Sequence, residues 1–414
     1  MQILRICSAG LYRNQYKEYV SSLPAGATYE QALENLREFG LLYPSHFCSE
    51  MKKNQIEAHD IVPDLPALQA LWHAQYGVKK DFLKSEDILF QQIAHYRPTA
   101  VYFQELDGIP RTIRLSLKER FPFIKIITGF KGFPPRLFSD YRDLDHIFIS
   151  YPYFQKQWEE NGVSTTLLPH CFDPGTKAAS GKKEKKYNFT FLGSTGYGNI
   201  AQEGRYYDLS YFLKNTSLEI WGREPVIRKR YENGKGAVLS VLALLPPSLL
   251  RSFRNSGISG DRFKLLLRDA LLVREGSLRA IPWYIGKKSL ALLYPHRVHP
   301  PVSGAAYMAI IASSRVSLNR HTDEPWEGGN IRTFEITGSS SCLLTDFRPN
   351  ISQLFTDQEI VTYTSREDGA EKARYLLDHP NEAEAIAKKG QARVMREHTT
   401  AHRVNDIVEV LCKF

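Results

Sequence analysis

The sequence predicts an α/β protein with two domains, each built around a parallel β-sheet. Its 414 residues are too many for one ordinary hydrophobic core and fit two domains of about 150 to 200 residues each. In both halves, short β-rich segments alternate with amphipathic helical segments, which is typical of βαβ units. A stretch rich in Pro, Gly, Ser and Lys, residues 173–186, lies between the halves and is interpreted as a linker.

The first domain is predicted to span residues 1–172. Its predicted strands are Ile3–Cys7, Ala100–Gln104, Ile124–Thr128 and His146–Ser150. Between these strands, Tyr29–Phe39 and Ser85–Tyr96 carry apolar residues at spacings of three and four. That spacing predicts helices with one face packed against a sheet.

The second domain is predicted to span residues 187–396. It begins with the strand Tyr187–Leu192 and the glycine-rich turn Gly193–Gly198, and a second strand follows at Leu218–Gly222. Residues 223–300 carry no recognisable motif and are interpreted as a helical insertion of unknown role. The alternation then returns, with predicted helices at Tyr307–Ser313 and Arg366–Leu377 and predicted strands at Val316–Arg320, Cys342–Asp346 and Glu359–Tyr363.

The C-terminal segment is predicted to be helical and to return to the first domain. Asn381–Lys389 and Ala392–Leu411 are rich in Ala, Glu, Lys and Arg and carry an apolar stripe, with a predicted break at Gly390. We expect residues 397–414, approximately, to cross back to the first domain.

The net charge of +9 and the pI of about 9.1 favour anionic partners. Nucleotide diphosphates and phospholipid headgroups both fit, which leaves peripheral contact with an anionic membrane open. Nucleic acid is not favoured, because no basic stripe interleaved with aromatic residues stands out. No apolar run approaches the roughly 20 residues that cross a bilayer, and the first ten residues do not form a signal peptide, so we expect a cytoplasmic protein.

The five cysteines predict neither a disulfide framework nor a metal site. They are odd in number, scattered along the chain and without a CxxC pair. We therefore expect most of them to be buried thiols, and we expect no bound metal.

Several local motifs resemble one glycosyltransferase family. Two parallel α/β domains, a central linker and a returning helix describe the GT-B architecture, and the sequence motifs are similar to those of the spore-maturation, CgeB-like glycosyltransferases. In the C-terminal half these motifs are Gly304–Asn319, Gly329–Glu335, Cys342–Asp346, Leu354–Phe355, Glu359–Val361 and His398–Arg403. In the N-terminal half they are Ser150–Phe154 and Leu167–Asp173.

The resemblance implies two Rossmann-like domains that face each other across a cleft. The second domain would bind a nucleotide-diphosphate sugar, which is the donor substrate and not a cofactor. The first would bind the acceptor, which is a glycan, a protein or a lipid-linked molecule of the cell surface or spore.

Glu327 and Glu335 are eight positions apart, the E-x7-E spacing of many retaining GT-B enzymes. By this resemblance Glu335 holds ribose hydroxyls and Glu327 lies near the donor sugar. GT-B enzymes generally use no metal, so fixed cations and backbone N–H groups must stabilise the leaving diphosphate. The candidate N–H groups belong to Gly193, Ser194 and Thr195, and the candidate cations are Arg205, Arg320 and Arg332.

Further polar residues accompany these groups. Asn319, His321, Asn330 and Thr333 are candidates for binding donor hydroxyls, although Asn and Thr at such junctions are more often helix caps. Glu105 and Asp107 follow a predicted strand of the first domain and are candidates for the general base of an inverting enzyme. A retaining enzyme needs no such base. The turn Cys7–Gly10 and the segment Thr128–Lys131 lie at predicted carboxyl ends of strands and are expected to face the acceptor, and His170 near the linker is a further candidate.

The sequence therefore predicts a glycosyltransferase of the hexosyltransferase type. Two alternatives remain open at this point. One is a nucleotide-sugar epimerase of the same fold, which requires a second set of acid and base groups. The other is a catalytically silent protein that binds a nucleotide sugar or a glycan.

Overall fold

The computed structural model describes most of the chain. The described residues are 1–9, 16, 18–19, 22–77, 85–133, 138–175, 184–197, 202–224, 245–246, 249, 288–323 and 326–414. Most of the predicted insertion, a large part of the predicted linker and Gly198 lie outside these residues.

Six parallel strands form the first sheet. They are β1 (Gln2–Ile6), β2 (Glu57–Ile61), β3 (Ala100–Phe103), β4 (Ile126–Lys131), β5 (His146–Ile149) and β6 (Thr165–Leu167). Their order across the sheet is β2-β1-β3-β4-β5-β6. The α-helices of this half whose bounds lie within the described residues are α1 (Tyr29–Glu38), α2 (Phe47–Lys53), α3 (Pro66–Tyr76), α4 (Ser85–Tyr96), α5 (Arg111–Arg120) and α6 (Pro152–Glu160).

A second parallel sheet begins at Tyr187. Its strands are β7 (Tyr187–Ser194), β8 (Glu219–Arg223), β9 (Val298–His299), β10 (Ser314–Asn319), β11 (Cys342–Asp346) and β12 (Val361–Tyr363), in the order β12-β11-β10-β7-β8-β9. The accompanying helices in the described part of this half are α7 (Glu203–Asn215), α8 (Leu290–Leu293), α9 (Gly304–Ala312), α10 (Ile331–Gly338), α11 (Ile351–Leu354), α12 (Arg366–Asp378), α13 (Pro380–Glu397) and α14 (Thr400–Leu411).

Local sequence explains where the helices begin and which face they bury. Helix α1 starts at Thr28, whose side chain accepts from the Gln31 N–H while the Gln31 side chain accepts from the Thr28 N–H. This capping box satisfies two backbone donors that a helix leaves unpaired at its start. The buried residues of α1 recur at helical spacing and pack against α3 and against the segments that follow β1 and β2: Tyr29, Ala32, Leu33 and Leu36.

The predicted fold class is confirmed, with two parallel sheets and a returning C-terminal helix. Helix α14 packs against α2 of the first half. Val404, Ile407 and Leu411 share one apolar cluster with Phe47 and with strand residues of the first sheet. Most of the cysteines are buried thiols, as predicted: all five are free, and Cys7, Cys171 and Cys342 are buried. No helix of the described residues is long and apolar enough to span a membrane.

The predicted helix break at Gly390 is wrong. Helix α13 runs through this residue without interruption, and the chain turns at His398 and Thr399 instead. Gly390 serves close packing, because a Cβ there would lie 2.4 Å from the carbonyl oxygen of Glu359. Glycine is therefore required by the approach of a neighbouring loop, and its modest helix propensity is overridden by tertiary packing.

The second sheet also extends into the range assigned to the insertion. Val298 and His299 form β9 at the edge next to β8. A two-residue strand has no alternating pattern to read in the sequence, which is why the prediction placed this segment outside the sheet.

Candidate active site

A cavity of about 330 Å³ lies where the two halves of the chain meet. Tyr43 lines it from the first half, Asp173 from the connection, and Gly193, Trp221 and Glu335 from the second half. Its volume falls near the lower end of the roughly 300 to 1,000 Å³ found for small-molecule sites. Gly193 and Ser194, at the end of β7, place the cavity at the carboxyl edge of the second sheet, where open α/β sheets bind ligands.

Glu335 is placed on α10 with its carboxyl group in the cavity wall. The Tyr307 hydroxyl of α9 donates to Oε2 of Glu335 at 2.7 Å. Removal from bulk water raises the pKa of Glu335, although the bond from Tyr307 and the charge of Arg332 act in the opposite direction. The other carboxyl oxygen has no hydrogen-bond partner among the described residues. One acceptor atom is therefore left for a ligand.

Arg332 lies one helical turn before Glu335 and reaches back to the glycine-rich turn. Its Nη1 donates to Oδ1 of Asn319 at 3.0 Å, and its guanidinium lies over the Phe191 ring at 5.4 Å. A Cβ at Gly193 would lie 2.9 Å from Nη2 of Arg332, and the φ of Gly193 is +145°. Only glycine therefore lets this cation lie against the turn. No carboxylate pairs with Arg332 within the described part of the chain.

Arg205 is a buried cation beside the same turn. It lies in the first turn of α7, is 3% exposed, and donates through Nη1 to Gln202 Oε1 at 3.0 Å and to the Ser194 carbonyl at 3.4 Å. Its Nε has no hydrogen-bond partner, and no described carboxylate pairs with it. Burial is the largest cause that lowers the pKa of Arg205, and the charges of Arg332 and Arg320 lower it further, to about 9. The guanidinium stays charged, so this position favours an anion.

Arg320 is placed nearby but is already surrounded by carboxylates. It bonds to Asp208 at 2.6 Å, to Asp323 at 2.9 Å and to Asp346 at 3.3 Å. Arg348, which the sequence analysis did not single out, bonds to Asp346 at 2.7 Å. A phosphate would have to compete with three carboxylates at Arg320, whereas Arg205 and Arg332 have none among the described residues. The candidate role of Arg320 in the leaving-group site stays a prediction.

The structure brings together four residues that were predicted to bind donor hydroxyls, but they hydrogen-bond mainly to one another: Asn319, His321, Asn330 and Thr333. Asn319 donates to Thr333 and accepts from Asn330, while Asn330 caps α10 by accepting from the Thr333 N–H. These hydrogen bonds hold the end of the loop at residues 326–330 in place. Because Asn319 also accepts from Arg332, the network fixes the direction of that cation.

His321 joins this network in its neutral form. Its Nδ1 lies 2.8 Å from Oδ1 of Asp346, and the Gly329 N–H donates to its Nε2 at 3.1 Å. Burial lowers the pKa of His321, although Asp346 raises it. The proton therefore resides on Nδ1 and is shared with Asp346, while Nε2 holds the glycine-rich loop in place.

The three candidate residues of the glycine-rich turn, Gly193, Ser194 and Thr195, have different surroundings. Gly193 and Ser194 line the cavity. Thr195 is fully buried, and its hydroxyl donates to Glu224 Oε1 at 3.0 Å. The Thr195 side chain therefore stabilises the turn through its bond to Glu224 and does not face the cavity.

Glu327 bonds to the other half of the chain. Its Oε2 accepts from the Tyr153 N–H, at the start of α6, at 3.0 Å. A carboxylate at this position complements the positive end of the helix dipole. Helix α9 makes a second contact of this type, since the Ala305 N–H donates to the Phe39 carbonyl at 3.1 Å. Both bonds link the two halves at the cleft.

Glu105 and Asp107 have opposite environments at the end of β3. Glu105 accepts from the Ser8 N–H at 3.0 Å, and burial raises its pKa to about 7. Asp107 is bonded to Lys131 and Tyr141, and these partners hold its pKa below the usual value although burial acts the other way. Only Glu105 therefore changes its charge near neutral pH, as an acid or base must.

The environment of Glu105 predicts a pH-dependent effect on stability. A carboxyl group whose folded pKa lies above its ordinary 4.5 stabilises the fold below pH 4.5, and that contribution is lost as the pH rises through about 7. We expect Glu105→Gln to match the wild type at pH 4 and to be more stable at pH 8, by up to about 3 kcal/mol. Denaturant unfolding at both pH values measures this difference.

Asp107→Asn is the matched control for that experiment, because the pKa of Asp107 is shifted in the opposite direction. It should be no more stable than the wild type at pH 8. Equal stability of Glu105→Gln and wild type at both pH values would contradict the raised pKa.

The remaining candidates of the first half have structural partners. Thr128 donates to the His146 carbonyl at 2.8 Å inside the sheet. His170 packs against Phe130, and burial together with Arg403 lowers its pKa to about 4, so it is neutral. Of the turn that follows β1, the Ser8 hydroxyl and the Ala9 N–H both donate to Asp64 at 2.7 Å, and Gly10 lies outside the described residues.

Tyr151 lies close to the arginines of the second half, and the sequence analysis quoted it within a motif but gave it no role. It follows β5, is 4% exposed and packs against Phe133 and Phe154. Burial raises its pKa to about 12, and Arg332, Arg348 and Arg205 of the other half lie near enough to oppose that rise. Its hydroxyl has no hydrogen-bond partner among the described residues. The signal in the sequence was its position directly after a buried strand.

Comparison with known proteins agrees with this arrangement. Residues 275–409, about a third of the chain, match a protein-family model described as glycosyl transferase-like. No curated protein matches the sequence. The matched segment contains Arg320, Arg332 and Glu335.

Solved structures share the whole architecture at low identity. Sucrose-phosphate synthase from Thermosynechococcus elongatus superimposes with a TM-score of 0.52 at 10% identity, covering 100% of this chain and 99% of that one. HepE from Anabaena, in complex with UDP and glucose, gives 0.52 at 10% identity with both chains covered to 100%. Such similarity establishes the GT-B fold, and together with the family match it supports a GT-B glycosyltransferase.

Proposed function

We propose that this protein is a metal-independent, retaining glycosyltransferase of the CgeB-like type that uses a nucleotide-diphosphate sugar as donor. The observation that carries the proposal is a pair of guanidinium groups beside the glycine-rich turn, Arg205 and Arg332, for which the described residues provide no carboxylate partner. Arg332 lies against Gly193 and one helical turn before Glu335. An anion with two phosphates and adjacent hydroxyl groups matches these features.

The diphosphate would lie between the glycine-rich turn and the two arginines. A guanidinium offers several donors in a fixed plane, which suits the oxygens of a phosphate. The N-terminus of α10 is close, because Asn330 caps that helix and Arg332 is its second residue. The helix dipole therefore adds to the positive potential at this point.

The nucleoside would occupy the cavity beyond the phosphates. Glu335 offers a free carboxyl oxygen for a ribose hydroxyl, and Trp221 supplies an aromatic wall. HepE, a neighbour in fold, has been solved with UDP, UDP-glucose, and UDP with glucose. Binding of a uridine nucleotide by the present protein is part of the proposal.

Sugar transfer requires stabilisation of the negative charge that grows on the leaving diphosphate. Arg205 and Arg332 are fixed before the reaction, by burial and by Asn319 respectively, so they need no rearrangement in the transition state. Tyr151 adds a hydroxyl group from the other side of the cleft. The residues that the structure describes contain no group of three or more metal-ligating side chains.

In this proposal, retention of the anomeric configuration rests on the family resemblance. The donor phosphate then takes the proton from the acceptor hydroxyl. Glu105 is then an acceptor-binding residue and not a base. The anomeric configuration of the product, determined by NMR, decides this point. An inverted product together with a large loss of kcat in Glu105→Gln would assign Glu105 as the base instead.

The proposed activity is tested by turnover of a panel of labelled nucleotide sugars in the presence of EDTA. We expect release of the nucleoside diphosphate with sugar transferred to an acceptor or, slowly, to water. Loss of turnover in EDTA with recovery on adding magnesium would contradict metal independence. Conversion of the donor to an epimer, or binding without turnover, would support the epimerase and the silent binding protein respectively.

Glu335→Gln is predicted to weaken nucleotide binding. The substitution removes a charged acceptor and keeps the size of the side chain, so we expect a loss of about 1.5 to 3 kcal/mol in binding free energy. Titration calorimetry with UDP and the other nucleoside diphosphates measures it. The fold should be retained, because the Tyr307 hydroxyl can still donate to the amide oxygen.

Glu371→Gln provides the matched control, since Glu371 lies on the exposed face of α12. It should bind nucleotide as the wild type does. Unchanged affinity in Glu335→Gln would assign Glu335 to the support of α9 through Tyr307.

A further inference from the structure

Three large aromatic side chains stand exposed around the mouth of the cleft. Phe133 is 50% exposed, Tyr153 is 57% exposed and Trp326 is 60% exposed. We call this set the aromatic lip. Exposed single apolar residues are common, but a group of aromatic rings at one place marks an interaction surface.

The aromatic lip lies at the carboxyl edges of both sheets. Phe133 follows β4, Tyr153 follows β5 and Trp326 follows β10. Phe133 and Tyr153 both contact the Phe154 ring, at centroid distances of 6.3 Å and 5.3 Å. Trp326 precedes Glu327, which accepts from the Tyr153 N–H. Phe133 and Tyr153 therefore share one surface, and the Glu327 bond brings the segment that carries Trp326 from the other half of the chain to its edge.

The same surface adjoins the proposed phosphate site. Tyr151 packs against Phe133 at 6.3 Å, and its hydroxyl lies in the field of Arg332, Arg348 and Arg205. A molecule resting on the aromatic lip would therefore have one end close to the leaving diphosphate. An acceptor must take this position, because its hydroxyl group attacks the donor sugar there.

The rings of the aromatic lip are held in place. The Arg348 guanidinium lies 4.1 Å from the centroid of the Trp326 ring, which fixes that ring while leaving it largely exposed. Phe133 rests on Tyr151 and Phe154, which are buried. Rigid aromatic side chains bind at a low cost in conformational entropy.

We propose that the aromatic lip binds an oligosaccharide acceptor, with sugar rings stacked on Phe133, Tyr153 and Trp326. This inference rests on the proposed glycosyltransferase function and specifies its acceptor class. The C–H groups on one face of a sugar ring carry partial positive charge and complement the electron-rich face of an aromatic ring. The Glu327 carboxylate and the Tyr153 hydroxyl supply hydrogen bonds between the rings. An anionic membrane fits less well, since Glu327 would repel its headgroups.

The test compares Phe133→Ala and Tyr153→Ala with the wild type in three measurements on the full chain. The first is binding to a glycan array that includes maltohexaose, cellohexaose and chitohexaose. The second is binding of UDP and the other nucleoside diphosphates, and the third is sedimentation with phosphatidylglycerol vesicles. Tyr153→Ala keeps the backbone N–H that bonds to Glu327, so the contact between the two halves is retained. Leu115→Ala, at a 53% exposed position on α5, is the matched control.

We expect the wild type and Leu115→Ala to bind at least one oligosaccharide, and each lip variant to bind it about tenfold more weakly. Nucleotide affinity should stay within about twofold in all four proteins, because the lip does not reach the cavity wall. Binding of no glycan by the wild type, or equal glycan binding by the lip variants, overturns the proposal. So does vesicle binding that the lip substitutions abolish. Glycan binding without any nucleotide binding would contradict the proposed function and leave the lip assignment standing.

Discussion

Arg332→Ala is expected to lower kcat by about 100- to 1,000-fold, as the loss of a fixed donor at a site of developing charge does in other enzymes. The guanidinium lies against Gly193 and is oriented by Asn319, so it is directed at the proposed diphosphate before the reaction begins. An interaction that strengthens as negative charge grows on the leaving group acts on kcat more than on KM. Steady-state kinetics with the donor found in the nucleotide-sugar panel provides the measurement.

Arg332→Lys distinguishes charge from geometry. A lysine keeps the positive charge but cannot donate to Asn319 and to a phosphate in one plane, so we expect only partial recovery of kcat. Equal losses in kcat/KM and in nucleotide affinity, with kcat unchanged, would make Arg332 a simple binding residue. Arg320→Ala is a contrasting control. It would leave the carboxylates of Asp208, Asp323 and Asp346 without their shared cation, so it should impair folding before it impairs chemistry.

The fold was predictable because each sheet repeats one simple pattern. Strands such as Cys342–Asp346 are buried runs that follow a helix and end in a polar residue, and the sequence placed this strand at its observed bounds. Of the four edge strands, only Val361–Tyr363 was predicted; Glu57–Ile61, Thr165–Leu167 and Val298–His299 were not found. Glu57–Ile61 is largely polar, and Val298–His299 is too short to show a period. Gly390 was misread because the neighbouring Glu359 carbonyl, which requires glycine, is not visible in the local sequence.

The candidate site was predictable where local sequence carried the motif. Glu335, Arg332 and Gly193 lie in or beside segments with a recognisable order, and the structure places all three at one cavity. The partners of Arg320 could not be read in the same way, since Asp208 lies 112 positions away on α7. Tyr151 was missed for a similar reason, because its role depends on arginines from the other half of the chain.

Arg205→Met is expected to raise stability and to abolish donor binding. A buried cation without a carboxylate partner is unfavourable, and replacement of buried charges by apolar groups of similar size is often neutral or stabilising by about 1 to 4 kcal/mol. Burial lowers the pKa of Arg205 but leaves the group charged at neutral pH, so the folded protein retains this unfavourable charge until an anion binds. Thermal unfolding of the two proteins without ligand should therefore show a higher Tm for the variant.

Addition of nucleotide should instead give the wild type a higher Tm than Arg205→Met. A ligand that binds only the folded state stabilises it by about 2.7 kcal/mol at 100 times its Kd, so UDP, or whichever nucleoside diphosphate the wild type binds, should raise the wild-type Tm and leave that of Arg205→Met unchanged. Gln202→Ala serves as the matched control, because it removes a neutral hydrogen-bond partner of Arg205 and keeps the cation. A destabilised Arg205→Met that still binds nucleotide would show that Arg205 supports the start of α7. A stabilised Arg205→Met that no longer binds nucleotide would show that the protein retains a buried cation because its partner is the phosphate of the donor.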